Sequence, residues 1–308
     1  MFTALLLLPY SVLAEWEGQT TFRFQSGFWI NLHHFLFQRA VEQLGEDIVA
    51  PSKLAPDQTR DWSKALTYYG EHFEGKDLLD RDMVVIKNAL GDAGNARSLD
   101  ATGLDIGLVD ALEMAAPVYR AVWWTAHDRS NRSRIERLIP FIARHEGGLK
   151  VRLSEIYRTK WPGPNIQTDV VFHANWAGAY TTLYPTRITV SSEDAGEPPP
   201  ENLEILFHEA SHAMIERVQE SISQRTRSLG MLLPRESLWH AVLFYSTGEV
   251  VRERIPGYTP YALKHGLWER AWPAHLDVLE REWKPYLEGN RRFEAAIEAL
   301  VDGLAVPP

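Results

Sequence analysis

Residues 207–214 read FHEASHAM, with two histidines four positions apart and a glutamate directly after the first. On an α-helix, residues i and i+4 lie one above the other on the same face, so His208 and His212 can point their imidazoles at one place. Glu209 then lies beside that place. This spacing is the HExxH pattern, in which the histidines bind a metal ion and the glutamate acts as a general base.

The residues around the pattern indicate that its helix is buried. Leu206 and Phe207 precede it, Ala213 and Met214 follow it, and its two inner residues are small. Two imidazoles and a carboxylate in an apolar setting need polar partners, and a metal ion with its water provides them. The context therefore favours a metal site over a chance match.

The chain outward from this helix predicts a predominantly α-helical α+β protein. Residues 28–162 carry apolar side chains at helical spacing, and the breaker WPGPN follows at 161–165. Residues 168–184 and 187–192 are rich in β-branched and aromatic side chains, which predicts a short β-sheet. Helical patterns return over 201–224 and 235–255 and in the C-terminal tail. We divide the chain into 1–14, a helical region 15–162, and a metal-binding region 163–308.

Composition excludes several classes of function. The net charge of −9 argues against a nucleic-acid partner, which needs clustered Lys and Arg. The chain has no cysteine, so a metal must be held by histidines and carboxylates. No later apolar run reaches the roughly 20 residues of a transmembrane helix. We expect a soluble protein; the sequence gives no indication of its oligomeric state.

The first residues, MFTALLLLPYSVLAEWEG, resemble a secretory signal peptide. An apolar run is followed by Val12 and Ala14 at the −3 and −1 positions of a cleavage site before Glu15. We therefore expect residues 1–14 to be removed and the protein to be exported, to the periplasm or the extracellular space. A buried N-terminal helix is the alternative.

The motif and its surroundings, about residues 169–253, resemble the gluzincin branch of the zinc metallopeptidases. That resemblance implies a zincin-like catalytic core that binds Zn²⁺ through His208, His212 and a glutamate on a following helix. It also implies hydrolysis of a peptide or protein substrate, with Glu209 as the general base.

The third ligand has three candidates on the next predicted helix: Glu236, His240 and Glu249. If the two helices form an antiparallel hairpin turning near Gly230, Glu249 returns to the level of His212, because each helical residue rises about 1.5 Å. His240 then lies on the opposite face. The usual family spacing fits Glu236 better, but the geometric argument favours Glu249.

Stabilising the oxyanion requires a further hydrogen-bond donor. Suitable side chains follow the motif at four positions: Tyr245, Tyr258, Tyr261 and His265. We select Tyr245 as the candidate catalytic residue beside Glu209.

The alternative function is a non-catalytic exported binding protein on the same zincin-like scaffold. The eleven tryptophans would then contact peptidoglycan, a glycan or a protein partner. Glu209 argues against this alternative, because a purely structural metal site has no use for an unligated carboxylate beside the ion.

Overall fold

The computed structural model describes residues 20–42, 54–175, 177–193, 199–230 and 235–304. Its secondary structure confirms the prediction of a predominantly helical α+β fold with a small sheet. The proposed signal peptide, residues 1–14, lies outside the described residues. Among the helices of the described ranges, none is both long and apolar enough to cross a membrane.

One four-stranded mixed sheet organises the fold. Its strands are β1 (Phe22–Gln25), β2 (Ile166–Val171), β3 (Ala179–Thr182) and β4 (Arg187–Ser191). The spatial order is β1-β2-β4-β3, with β1, β2 and β4 parallel and β3 antiparallel to β4. The sequence did not predict β1, because a four-residue strand leaves too short a pattern and its partner β2 lies far along the chain. Strand β3 ends the sheet on the side of the HExxH helix.

Helices surround the sheet in two groups. The first group is α1 (Phe28–Phe37), α2 (Pro56–Phe73), α3 (Arg81–Ala93) and α4 (Ile106–Tyr119). The second begins with α5 (Thr125–Tyr157), α6 (Pro199–Ser211), α7 (Glu216–Ser228) and α8 (Arg235–Arg254). It ends with α9 (Tyr261–Lys264), α10 (Leu267–Ala271), α11 (His275–Val278), α12 (Lys284–Leu287) and α13 (Phe293–Leu304).

The two faces of the sheet line different hydrophobic cores. Val170 and Ile188 lie in the core formed with α5, α6 and the C-terminal helices. Val171 and Tyr180 lie in the core formed with α1 to α4. Helix α5, which falls within the predicted N-terminal region, therefore packs with the C-terminal half of the chain.

A buried arginine joins the sheet to α3. Asp169 on β2 is fully buried and accepts hydrogen bonds from Arg187 Nε at 2.5 Å and Nη2 at 3.1 Å. Arg187 also donates to Asp92 on α3 at 2.6 Å. Gly91 admits the guanidinium, because a Cβ there would lie 1.9 Å from Arg187 Nη2. Arg187 thus links two strands of the sheet to α3.

The two carboxylates on Arg187 should contribute unequally to stability. Asp169→Asn leaves a buried guanidinium without its buried counter-charge and should lower the free energy of unfolding by about 3 kcal/mol. Asp92→Asn is the matched control: the Asp92 side chain is 78% exposed, so its loss should cost less than about 1 kcal/mol. Denaturant unfolding of both variants measures the difference, and equal losses would contradict it.

Candidate metal centre

The HExxH residues lie where α6 ends. His208 and Glu209 belong to α6, and His212 begins a short 3₁₀ turn, His212–Met214, that separates α6 from α7. Ser211 Oγ donates to the carbonyl oxygen of Phe207 at 2.7 Å. Such a bond to the carbonyl four residues back bends helices, which accounts for a break at this point. The single helix predicted over 201–224 is therefore two helices.

Helix α8 brings a third histidine to the two in the motif. His208 Nε2 lies 3.1 Å from His240 Nε2, and the ring centroid of His212 lies 5.3 Å from that of His240. One nitrogen of each of the three imidazoles lies within 4.8 Å of the other two. His208, His212 and His240 can therefore hold a metal ion.

The register between α6 and α8 explains why His240 occupies this position. Gly248 packs beside Glu204, where a Cβ would lie 3.2 Å from the carboxylate. One turn along α6, the Phe244 ring lies 3.8 Å from that of His208. A further turn brings His240 level with His212. The predicted hairpin assumed that the motif helix continues unbroken to a turn near Gly230. The helix instead breaks after Ser211, so the residues of α8 that lie level with the motif differ from the predicted ones.

Glu249 lies outside the histidine group. It forms an ion pair with Arg252, one turn along the same helix. Burial raises the pKa of Glu249, and the positive charge of Arg252 opposes that rise. The structure therefore places Glu249 in a charged network on α8 rather than beside His208. The side chain of Glu236 lies outside the described residues.

Tyr245 also points away from the histidines. Phe244 takes the place against His208, and the next residue of a helix is turned by about 100°. The Tyr245 ring packs against Trp268, with centroids 6.3 Å apart. Burial and the nearby charges of Glu249 and Glu280 raise its pKa. Of the other candidates, Tyr261 has its ring nearly parallel to that of Phe244, with centroids 6.5 Å apart.

Burial keeps the three imidazoles neutral. It holds the pKa of His208 well below its usual range and lowers the pKa of His212 to about 3 and that of His240 to about 4. The rings also disfavour each other's protonation, which lowers the pKa of His208 and His212 further. A neutral imidazole has a nitrogen lone pair, which is the form that binds a metal ion.

Glu209 lies beside the imidazoles but is held by the sheet. Its side chain is 7% exposed, and its Oε2 accepts a hydrogen bond from Thr181 Oγ1 at 2.7 Å. The same oxygen lies 3.9 Å from His212 Nε2. Burial raises the pKa of Glu209 to about 7, against the opposing effect of the Thr181 hydrogen bond. The carboxylate is thus close to the histidines and fixed by a separate partner.

Tryptophans form one side of the site. The Trp239 ring stacks on His240 at 5.0 Å and meets His212 edge-on at 5.6 Å. Trp272 meets His240 edge-on at 5.6 Å. The tryptophan content of the sequence suggested aromatic contacts, but it did not single out these two positions.

The chain matches no protein-family model, no curated protein and no solved structure in the comparisons made with it. The interpretation of the metal centre therefore rests on its own geometry and chemistry.

A second glutamate of α6 is buried away from the histidines. Glu204 is fully buried and accepts hydrogen bonds from Tyr258 Oη at 2.6 Å and the Tyr261 backbone N–H at 2.9 Å. Burial raises the pKa of Glu204 to about 7, and the charges of Glu201 and Glu249 add to this rise. Ionising Glu204 therefore costs more in the folded protein than in the unfolded chain.

Glu204 should make stability depend on pH. Because folding raises its pKa, the stability it contributes is complete below its unfolded pKa of about 4.5 and is lost as the pH rises through about 7. Glu204→Gln should become more stable relative to wild type between about pH 5 and pH 8, by up to about 3 kcal/mol. Unfolding free energies across this range measure the effect, and parallel profiles would contradict it.

Proposed function

We propose that this protein is a zinc-dependent hydrolase, most consistent with a metallopeptidase, in which His208, His212 and His240 hold the metal and Glu209 is the general base. The observation that carries the proposal is the convergence of three neutral imidazoles, with their nitrogens within 4.8 Å of one another, beside a glutamate that has its own partner. In this proposal His240 is the third metal ligand, whereas the gluzincin resemblance implied a glutamate.

The donor set suits zinc. Imidazole nitrogens are ordinary zinc ligands, and three protein ligands leave a fourth position open, as in catalytic zinc sites. Three neutral ligands also leave the full charge of the ion uncompensated, whereas a carboxylate would reduce it. When bound, the ion supplies Lewis acidity, which polarises a carbonyl oxygen and makes water a stronger acid.

Glu209 moves the proton in the proposed reaction. Its carboxylate takes a proton from water as the water oxygen bonds to the substrate carbonyl carbon. The same carboxyl group then gives that proton to the leaving nitrogen as the C–N bond breaks. Trp239, Trp272 and Phe244 keep bulk water from the histidines on their side of the site.

Strand β3 supports a peptide as the substrate. Among the described strands it pairs only with β4, and we propose that an extended peptide forms main-chain hydrogen bonds with its other edge. Thr181 of this strand contacts Glu209, so a peptide paired there would lie near the general base. We propose that the protein acts outside the cytoplasm, on the basis of residues 1–14.

Metal content should separate His240 from Glu249 as the third ligand. Purified wild type should retain about one zinc per chain after dialysis against a weak chelator. His208→Ala, His212→Ala and His240→Ala should lose it, because each removes a donor. Glu249→Gln should retain it as the matched control on α8. Elemental analysis of variants shown by circular dichroism to be folded measures this, and the reverse order for His240 and Glu249 would contradict the assignment.

Activity should depend on Glu209 without a change in metal content. Glu209→Gln preserves the size of the side chain and the zinc ligands, but it cannot accept the proton. Cleavage of a peptide library should fall by about 10²- to 10⁴-fold at unchanged zinc content. If zinc-loaded wild type cleaves the library no better than Glu209→Gln does, the proposal that the protein is a hydrolase is refuted.

A further inference from the structure

Thr181 lies between the edge strand and the general base. Successive side chains of a strand point to opposite faces, so Thr181 faces α6 while Tyr180 and Thr182 face the other core. Thr181 Oγ1 lies 2.7 Å from Glu209 Oε2 and 3.0 Å from the carbonyl oxygen of Glu209. One hydroxyl therefore reaches both the carboxylate and the backbone carbonyl oxygen of Glu209.

The opposite face of β3 is held by buried polar contacts. Lys87 on α3 donates to Thr182 Oγ1 at 2.5 Å, and its ammonium lies 5.5 Å from the centre of the Tyr180 ring. The Tyr180 hydroxyl is hydrogen-bonded to His34 Nε2 at 2.8 Å. These contacts fix the neighbours of Thr181 on both sides, so the Thr181 hydroxyl has a defined position.

A hydroxyl can serve both forms of the base without moving. It has one proton to donate and two lone pairs to accept with. While Glu209 is ionised, Thr181 can donate to Oε2. Once Oε1 of Glu209 carries the proton taken from water, Oε2 keeps its lone pairs, so Thr181 can go on donating to Oε2 while the proton on Oε1 passes to the leaving nitrogen. The 2.7 Å separation of Thr181 Oγ1 from Glu209 Oε2 suits both forms.

We propose that Thr181 is the positioning residue of the general base: it holds the Glu209 carboxyl group beside the three histidines before and after proton transfer. This rests on the proposed function. It also means that the strand suited to pair with a peptide sets the position of the base.

Three variants test this role. Thr181→Val keeps the shape of the side chain and removes the hydroxyl, while Thr181→Ser keeps the hydroxyl. Thr168→Val is the matched control, because Thr168 is a buried threonine of the same sheet whose hydroxyl bonds to the Ile166 carbonyl at 3.2 Å. Each is loaded with zinc and assayed with 4-nitrophenyl acetate, a probe that needs no knowledge of the natural substrate.

The kinetic constants should separate positioning from folding. Thr181→Val should lower kcat about 10- to 100-fold with KM and zinc content unchanged. The kcat of Thr181→Ser should stay within about threefold of the wild-type value, and the kcat of Thr168→Val should equal the wild-type value. Wild-type kcat in Thr181→Val, or no recovery in Thr181→Ser, would overturn the proposal.

Cobalt substitution gives a readout without turnover. The visible absorption of cobalt(II) reports the groups around the ion's open position, so Thr181→Val should shift it in the same direction as Glu209→Gln. Thr168→Val should leave the spectrum unchanged. If wild type takes up no metal, or its hydrolysis survives Glu209→Gln, the proposed function fails and the role of Thr181 falls with it. If wild type takes up metal and its hydrolysis is lost in Glu209→Gln, but Thr181→Val resembles wild type, only the role of Thr181 is refuted.

Discussion

The close packing of α8 on α6 is the constraint on which the metal centre depends. Gly248 has no side chain to separate the helices at Glu204, and Phe244 lies directly against His208. With these two contacts fixed, helical geometry leaves His240 as the α8 side chain that meets the motif histidines. A change in register by one turn would bring a different residue to the site.

Burial has opposite effects on the two kinds of titratable group in this site. Removing an imidazole from water disfavours its cation, so His208, His212 and His240 remain neutral and able to bind a metal ion. Removing a carboxyl group from water disfavours its anion, so the pKa of Glu209 rises to about 7. The same apolar surroundings thus favour metal binding by the histidines and proton exchange by the glutamate.

Sequence reasoning reached the local features and missed those that depend on tertiary register. The motif histidines share one face because helical spacing places them there, and the β-branched stretch before them was identifiable by composition. His240 was one of three candidate ligands, but the hairpin argument favoured Glu249, because no sequence pattern showed that the helix breaks after Ser211. Thr181 lay within a predicted strand. Its alternation with Tyr180 and Thr182 could have indicated its face, but its partner Glu209 could be known only from packing.

The ligand set of the bound metal is the most direct test of this account. X-ray absorption at the zinc edge of wild type loaded with one equivalent of zinc counts the imidazoles and measures their distances. We predict three imidazole nitrogens at about 2.0–2.1 Å and one further light atom. A spectrum that fits two imidazoles and a carboxylate would contradict the assignment of His240, and failure to take up zinc would contradict the metal centre itself.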